Sequence, residues 1–368
     1  MKIICSKESL SKVLGVAEGV ISTKNNISIL SNVLIETMDN AVKISACEIT
    51  LNFFAEIGAE VIEPGSISVY CNRLYSIIKK LNCEEIEITS DSQNTVTIRP
   101  KDNKRSLYTL KGINSEKFPP IRPSDSTDFF SINQEAFMDM IKKTLFAVPA
   151  NDNKKFTSGV LFEKSNDSIK MVSTDGKRLC LVTKDITIQE IENTSIIVPP
   201  KLLTEVNKLC SGNGDIKITF NTKNIYVVID NFYFISNLLE GNFPPYQKVI
   251  PQEQNNKAIA NKKEFYESLD RISLMSDKDS KKIIISLSKD TMKIFTENAT
   301  LGSGEEIIPV EYDNQEIKIA LNQTFILEVL NVLQNDKVII EFKDNQSTIT
   351  IKELDNAEYL YVMMPMSF

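Results

Sequence analysis

The feature that most constrains the fold is a unit that recurs three times along the 368 residues. Near the start of each unit, apolar residues follow the spacing of a helix with one buried face. The three helical segments are 9–16, 135–143 and 263–271. Aligning Leu10, Phe137 and Phe265 separates them by 127 and 128 residues. Because repeats dictate architecture, the chain is predicted to be a tandem array.

A second helix and an alternating hairpin complete each unit. The second helices are predicted at 73–81, 201–209 and 324–332. In the hairpin that follows each of them, apolar residues alternate with polar ones, and Ile88, Ile218 and Ile340 align at spacings of 130 and 122 residues. A period of two with one polar face is typical of an antiparallel sheet that has one side on the core.

Proline pairs mark the ends of the first two units. Phe118-Pro119-Pro120 and Phe243-Pro244-Pro245 lie 125 residues apart, and a polar stretch follows each. Proline removes a backbone donor and favours extended geometry, which suits an exit from a sheet. We therefore predict an α+β chain of three helix-backed antiparallel sheet domains, 1–124, 125–251 and 252–368. The alternative is a coincidence between ordinary α+β segments.

The chain contains no histidine, which excludes Ser-His-Asp and Cys-His nucleophile systems and His-ligated metals. Its six cysteines are at least twelve residues apart, so CxxC redox or zinc spacing does not occur. We expect buried free thiols, no cofactor and no bound metal. The N-terminus lacks an apolar signal stretch and no run is long enough to span a bilayer, so a cytoplasmic location is expected.

Charge is distributed unevenly along the sequence. The net charge is -7, yet six helical windows hold twelve Lys/Arg against nine Asp/Glu. The windows are 7–18, 72–82, 133–146, 200–210, 261–271 and 322–334. A less acidic helix face suits a duplex phosphate surface. The alternative is that helices simply favour lysine.

Four local motifs carry a family resemblance over the whole chain. They are Ser173-Thr174-Asp175-Gly176-Lys177-Arg178-Leu179, Ile197-Val198-Pro199-Pro200-Lys201, Gly241-Asn242-Phe243-Pro244-Pro245-Tyr246 and the terminal Tyr361-Val362-Met363-Met364-Pro365-Met366. In this order, on a threefold repeat, the chain resembles the bacterial DNA polymerase III beta subunits, the DNA sliding clamps. Lys177 stands where that family often has His, and Ser367 where a basic residue is common.

The resemblance implies a DNA clamp fold and a head-to-tail homodimer that forms a six-domain ring. Such a ring encircles duplex DNA without reading its sequence and tethers the replicative polymerase. It is a processivity factor and not an enzyme. The implied partners are the DNA polymerase alpha subunit, the clamp loader, and other polymerases and repair proteins that bind through short linear motifs. No membrane association is implied.

The resemblance also assigns candidate residues. Those expected nearest DNA are cationic or polar: Lys24, Arg73, Lys79, Lys80, Asn151, Lys154, Lys155 and Lys201. The alternative for each is a solvated helix face. Those expected at the dimer interface are Leu274 and Met275, with Lys104, Arg105 and Leu107 opposite them.

A cleft for partner peptides is implied between domains 2 and 3. Its expected residues are Thr157, Thr174, Gly176, Lys177, Arg178, Leu179, Pro244, Lys248, Val249, Asn322, Phe325, Thr348, Val362, Met363, Met364, Pro365 and Met366. Flexible, polarizable Met side chains suit a cleft that accepts several peptides. We expect Arg178 to offer its guanidinium fork to backbone or carboxylate oxygens. Without the resemblance, the segment 361–366 is simply the last strand of a core.

Two other function classes remain open at this stage. The first is a hydrolase that uses paired carboxylates or a Cys nucleophile. The missing histidine and the absence of P-loop, GxGxxG and DxD patterns oppose it. Asp175 is its best candidate acid, although a turn-capping role fits that residue better. The second is a repeat scaffold that binds proteins but never DNA.

Overall fold

The same order of elements occurs three times in this computed structural model. The structure describes residues 1–21, 28–103, 105–126, 128–149, 157–186, 194–298 and 302–368. Within these residues each repeat contains one strand, a helix, four strands, a helix and three strands. The threefold repeat predicted from the sequence is therefore confirmed.

The strands and helices are numbered in chain order. The first repeat has β1 (Lys2–Ser6), α1 (Lys7–Val20), β2 (Asn32–Thr37), β3 (Ala41–Cys47), β4 (Leu51–Glu63), β5 (Ser66–Tyr70), α2 (Cys71–Lys80), β6 (Glu85–Ser90), β7 (Thr95–Pro100) and β8 (Tyr108–Ile113). The second has β9 (Phe130–Asn133), α3 (Gln134–Leu145), β10 (Val160–Lys164), β11 (Ser168–Thr174), β12 (Arg178–Asp185), β13 (Thr194–Val198), α4 (Pro200–Leu209), β14 (Asp215–Phe220), β15 (Asn224–Ile229) and β16 (Phe232–Asn237). The third has β17 (Asn256–Asn261), α5 (Lys262–Ser273), β18 (Lys282–Ser288), β19 (Thr291–Asn298), β20 (Gly302–Glu311), β21 (Ile317–Asn322), α6 (Gln323–Val332), β22 (Lys337–Phe342), β23 (Ile349–Glu353) and β24 (Tyr359–Met363).

A polar residue ends the first strand of each repeat and starts the helix that follows. The side chains of Ser6 and Asn261 accept hydrogen bonds from the N–H groups of Ser9 and Glu264, and Asn133 accepts one from Glu135. These bonds satisfy donors that have no partner inside the helix. The switch from strand to helix at α1, α3 and α5 is thus encoded locally. All six predicted helices are confirmed.

The chain divides into two compact units. The first contains Met1–Glu135 and Lys201–Leu238. Its sheet has the strand order β1-β6-β7-β8-β5-β2-β3-β4-β16-β15-β14-β9, with a further pairing of β1 with β4. All eight strands of the first repeat thus join four strands of the second. At the junction, Phe53 lies opposite Phe234 and Phe54 lies opposite Tyr233 in antiparallel register.

The second unit contains Ala136–Pro200 and Leu239–Phe368. Its sheet has the order β13-β10-β11-β12-β24-β23-β22-β17-β20-β19-β18-β21. Here the other four strands of the second repeat join all eight of the third. At the junction, Leu179 lies opposite Val362 and Arg178 lies opposite Met363. Both units therefore join the fourth strand of one repeat to the last strand of the next.

Close helix packing in the first unit depends on two glycines of α1. The buried face of α1 includes Leu10, Leu14 and Ala17. A Cβ atom at Gly15 would contact the Tyr75 ring of α2, and one at Gly19 would overlap the carboxylate of Glu205 on α4. Glycine costs about 1 kcal/mol in a helix relative to alanine, but here it leaves room for two neighbouring helices.

All six cysteines are free, and five of them are buried. Burial raises the pKa of the Cys5, Cys71 and Cys180 thiols to about 12. Cys83 differs from the prediction because it is only half-buried, in the connection between α2 and β6. Among the described residues, no helix combines the length and apolar character that crossing a membrane would need.

A buried ionic network joins the second repeat to the third within the second unit. Lys143 of α3 lies 3.1 Å from Asp139 and 3.8 Å from Glu353, and its ammonium stands over the Tyr359 ring. Glu353 accepts hydrogen bonds from the backbone N–H groups of Gln334 and Asn335. Burial by itself would raise the pKa of Glu353, but these donors and Lys143 outweigh it and hold that pKa below its usual value.

Glu353→Gln should therefore destabilise the protein at neutral pH by about 1–3 kcal/mol, because the amide cannot satisfy Lys143 and the N–H groups equally well. The folded pKa lies below the unfolded one, so the carboxylate stabilises the fold above the unfolded pKa. That stabilisation is lost as the pH falls through the folded pKa. Urea unfolding at neutral and acidic pH measures the effect, and the two proteins should converge in acid.

Glu358→Gln is the matched control. Glu358 belongs to the same network through Lys184, but its side chain is half-exposed. Exposed ion pairs contribute about 0–1 kcal/mol, so this variant should unfold nearly as the native chain does. Equal losses from both substitutions would contradict the importance assigned to the buried carboxylate.

Candidate partner-binding cleft

A tight turn between β11 and β12 forms one wall of the site. Asp175 accepts hydrogen bonds from the N–H groups of Lys177 and Arg178 at 2.9 and 3.0 Å. The Thr174 hydroxyl donates to the Arg178 carbonyl at 2.6 Å. Gly176 has a φ of +86°, which side chains rarely adopt. Asp175 is thus a turn-capping residue, as its sequence context predicted.

Arg178 holds this turn against the rest of the second unit. Its Nε donates to Asp175 at 3.0 Å, its Nη2 to the Phe146 carbonyl at 2.9 Å, and its Nη1 to Glu328. The guanidinium also stacks 4.3 Å from the ring centroid of Phe325. All three nitrogens donate within the protein. The guanidinium thus bonds two carboxylates and one backbone carbonyl, the kinds of oxygen expected for it, and these bonds fix the turn.

The floor of the site is apolar. Leu179 of β12 and Val362 of β24 lie opposite each other and pack with Leu161 and Tyr246 in one buried cluster. Tyr246 begins a short 3-10 helix, Tyr246–Val249, directly after the proline pair. Its hydroxyl donates to Glu163 at 2.7 Å, and burial raises its pKa. The linker after β16 is therefore anchored to the sheet.

These elements enclose a cleft of about 250 Å³. It is lined by Thr157, Thr174, Asp175, Gly176, Lys177, Arg178, Leu179, Pro244, Pro245, Tyr246, Val249, Thr348, Val362, Met363 and Met364. Val249 and Met364 are 44% and 49% exposed, so large apolar side chains face solvent there. Exposed apolar groups around a pocket with few polar groups are typical of a ligand site.

The cleft brings together twelve of the seventeen residues predicted for partner binding. The other five are Lys248, Asn322, Phe325, Pro365 and Met366. Asn322 caps α6, Phe325 stacks on Arg178, and the Met366 N–H donates to Ala320. Lys248 lies exposed beside Val249. The prediction omitted Asp175, Pro245 and Tyr246, although all three stand inside the quoted motifs.

Of the eight residues predicted to contact DNA, the structure describes four. Lys24, Asn151, Lys154 and Lys155 lie outside the described residues. Arg73, Lys79 and Lys80 are exposed on α2, a helix that carries no acidic residue. Lys201 differs from them because it donates to the Val20 carbonyl and lies 3.7 Å from Glu48. The Lys201 ammonium is therefore partly neutralised by groups of the first unit.

The predicted interface residues lie near two strand edges. Lys104 is outside the described residues, whereas Arg105 and Leu107 are exposed directly before β8. Leu274, at the C-terminal end of α5, is 76% exposed. Met275 packs against Gly302 and Gly304 of β20. Ile307, also on β20, is 62% exposed and was not predicted.

Comparisons with known proteins agree along the whole chain. Models of the N-terminal, central and C-terminal domains of the DNA polymerase III beta subunit match residues 1–122, 131–245 and 247–367. The beta sliding clamp of Treponema pallidum is 30% identical, with 100% of this chain and 99% of that protein aligned. That of Pseudomonas aeruginosa is 28% identical over the full length of both.

Solved structures give the same result. The DNA polymerase III beta subunit of Pseudomonas aeruginosa superimposes with a TM-score of 0.94 at 27% identity, and both chains are covered completely. A second structure of that clamp, with the same TM-score, identity and complete coverage of both chains, is bound to griselimycin. The Bartonella birtlesii clamp, also bound to griselimycin, has a TM-score of 0.93 at 26% identity and is likewise covered completely.

Three clamp-type repeats and these full-length relatives define a DNA sliding clamp, a non-enzymatic processivity factor for DNA replication. The chain belongs to the DNA polymerase III beta subunit family. The resemblance stated from the sequence motifs is therefore confirmed, and so is the α+β clamp fold.

Proposed function

We propose that two copies of this chain associate head to tail into a ring around duplex DNA. Each copy contributes three domains, 1–124, 125–251 and 252–368. The ring holds DNA by enclosure, so it needs no base-specific contact and can slide. It acts in the cytoplasm. The observation that carries this proposal is the strand junction that both units share.

Two strands of the corresponding kind keep part of one edge unpaired in the described residues. In the described residues, β4 pairs with β16 and β12 pairs with β24, in each case the fourth strand of one repeat with the last strand of the next. The corresponding strands that remain are β20 and β8. β20 pairs with β19 along one edge and with β17 only at Val310 and Glu311, and β8 pairs with β7 along one edge and with β5 only at Gly112 and Ile113, so the rest of the second edge of each is open. Unpaired strand edges favour pairing with another chain, and a heterologous contact that closes gives a ring.

Apolar side chains near these two edges support the same pairing. Leu107 and Tyr108 are 61% and 42% exposed at β8, and Leu274 and Ile307 are 76% and 62% exposed at or beside β20. Large apolar side chains clustered at an unpaired edge are typical of an interface. Arg105 and Lys104 would add charge at the rim of the contact.

The surface proposed to face DNA is centred on α2. Arg73, Lys79 and Lys80 project a positive charge that no acidic residue of the same helix offsets. Lys24, Asn151, Lys154, Lys155 and Lys201 complete the proposed set. Flexible lysines suit a moving phosphate backbone, because they attract it without fixing one geometry.

The cleft of the second unit is proposed to bind short linear motifs of partner proteins. These partners are the replicative polymerase alpha subunit, the clamp loader, and other polymerases and repair proteins. Its volume suits one or two large apolar side chains, and Met363 and Met364 can repack around different ones. Two related clamps have been solved with griselimycin bound.

Replacement of the exposed apolar residues at the strand edges tests the ring. Leu274→Glu with Met275→Glu, or Ile307→Glu alone, should give a folded monomer, because a buried unpaired charge opposes association. Sedimentation of the native chain should give twice 41.5 kDa. Ile49→Glu is the control, since Ile49 is 69% exposed in the turn between β3 and β4 of the first unit. A persistent dimer would refute this interface.

If the ring encloses DNA, its retention should depend on whether the DNA is circular or linear. Protein loaded onto a nicked circular plasmid with the clamp loader and ATP should remain bound during gel filtration and dissociate after one cut. Equal retention on circular and linear DNA would indicate a scaffold or an ordinary DNA-binding protein instead.

The α2 cations should determine the salt dependence of direct binding to a short duplex. Neutralising Arg73, Lys79 and Lys80 to Gln should weaken binding and reduce the slope of log K against log salt by up to about 1 per cation. Lys223, Lys257 and Lys343 are exposed outside the helices, and their triple Gln variant is the charge-matched control. Fluorescence anisotropy at several salt concentrations measures both. Equal slopes for the two variants would contradict the assignment.

Charge placed at the mouth of the cleft should abolish ligand binding. Val249→Glu and Met364→Glu alter half-exposed side chains, so the fold should persist while an apolar ligand loses at least tenfold in affinity. Calorimetric titration with griselimycin measures this. Unchanged affinity in both variants would place the ligand elsewhere.

A further inference from the structure

One turn of the first unit carries the only Asn-Gly pair in the chain. Asn213 and Gly214 lie in the connection between α4 and β14, and both are exposed. Gly214 has a φ of +84°, a value that disfavours any residue with a side chain. The backbone of this turn therefore requires a glycine directly after the asparagine.

The two groups of this pair that can react with each other are unrestrained. Among the described residues, neither the Asn213 side chain nor the Gly214 N–H forms a hydrogen bond with the protein, and the Asn213 N–H donates to the Ser211 hydroxyl at 3.4 Å. Because Gly214 has no side chain, nothing on that residue shields its nitrogen. The nitrogen and the Asn213 side-chain carbonyl carbon are close enough in the chain to close a five-membered ring.

The other pairs of this general kind are restrained. Asn114 is followed by the small residue Ser115, but its Oδ1 accepts a hydrogen bond from the Glu116 N–H at 2.9 Å. Asp175 precedes Gly176, but its carboxylate accepts from the N–H groups that follow it and from Arg178. Sequence and hydrogen bonding thus single out Asn213.

We propose that Asn213 is a site of spontaneous covalent modification, in which its side-chain amide is lost and an isoaspartate forms. Hydroxide removes the proton of the Gly214 nitrogen, which attacks the side-chain carbonyl carbon of Asn213. A C–N bond forms, the bond to the amide nitrogen breaks, and ammonia leaves with a proton from water. Water then opens the resulting succinimide at either carbonyl and gives aspartate or isoaspartate. Both products add one negative charge, and isoaspartate also adds one methylene to the backbone.

The added methylene falls between two points at which the turn is fixed. Gln134, at the corner between β9 and α3, is 2% exposed. Its N–H donates to the Gly214 carbonyl at 2.9 Å, and its Oε1 accepts from the Ser211 N–H at 3.0 Å. A longer backbone between Ser211 and Gly214 cannot keep both bonds in the same geometry. Isoaspartate at 213 therefore weakens the attachment of this corner, which goes beyond the proposed clamp function.

Peptide mapping of the incubated native chain tests the modification. Trypsin should release residues 209–217, a peptide that contains no other amide side chain. After incubation this peptide should gain the mass of an amide-to-acid conversion and separate into two chromatographic forms. The rate should rise about tenfold per pH unit, because the attacking nitrogen must lose a proton. No conversion in the native chain overturns the proposal.

Asn213→Gln is the matched variant, because glutamine would have to close a larger ring and its exposed side chain should leave the fold unchanged. Its peptide 209–217 should keep its mass. Asn114 in the same digests is the internal control. Conversion of Asn114 as fast as that of Asn213, or equal conversion of the peptide in Asn213→Gln, contradicts the assignment.

The isoaspartate and its structural effect have separate readouts. An isoaspartyl carboxyl methyltransferase with labelled S-adenosylmethionine should label the incubated native chain and leave incubated Asn213→Gln unlabelled. In urea, the incubated native chain should unfold at a lower concentration than fresh protein. Asn213→Asp carries the added charge without the methylene, so it should unfold as fresh native protein does. An equal loss in Asn213→Asp, or no loss in the converted chain, overturns the effect assigned to the longer backbone.

Discussion

The structure depends on antiparallel backbone pairing between the fourth strand of one repeat and the last strand of the next. A single repeat leaves these edges open, and open edges associate with whatever strand is available. The pairing of β4 with β16 and of β12 with β24 satisfies the edges and extends each sheet to twelve strands. Side chains that lie opposite each other, such as Phe54 and Tyr233, stack across the junction with ring centroids 4.5 Å apart. Both units thus join their repeats by the same type of strand pairing.

The second unit uses its junction to build the cleft. Leu179 and Val362 pair across it and present an apolar surface beside the fixed β11–β12 turn. In the first unit, the corresponding register sets Asn52 opposite Ile235. In the same unit the linker residue Phe118 packs on Leu30, Leu34 and Cys47. Similar backbones therefore support different surfaces, because a few side chains at the junction differ.

Ionic groups in the second unit serve two separate purposes. Arg178 and Lys143 are buried and paired, so they stabilise the arrangement of elements around the cleft. Lys177 is exposed and unpaired within the described residues, so its charge is available to a ligand. Burial and pairing decide which cation is structural, since a desolvated charge needs a partner and a hydrated one does not. The same distinction separates Lys201 from Arg73 in the first unit.

Local sequence patterns determined the repeat, the six helices, the paired strands of the hairpins and the turn at Asp175. Each of these depends on residues close together in the chain, such as Asn261 capping α5 or the alternating residues of β15. The family resemblance also identified twelve of the cleft residues, nine of them inside the quoted motifs. Tertiary structure alone decided that the Arg178 fork is consumed by Asp175, Phe146 and Glu328, and that Asn322 and Phe325 support the site without lining it. It also decided which strand edges stay unpaired and that Ile307 is exposed on one of them. These outcomes depend on contacts between residues as far apart as Arg178 and Glu328, and periodicity along a chain carries no information about such contacts.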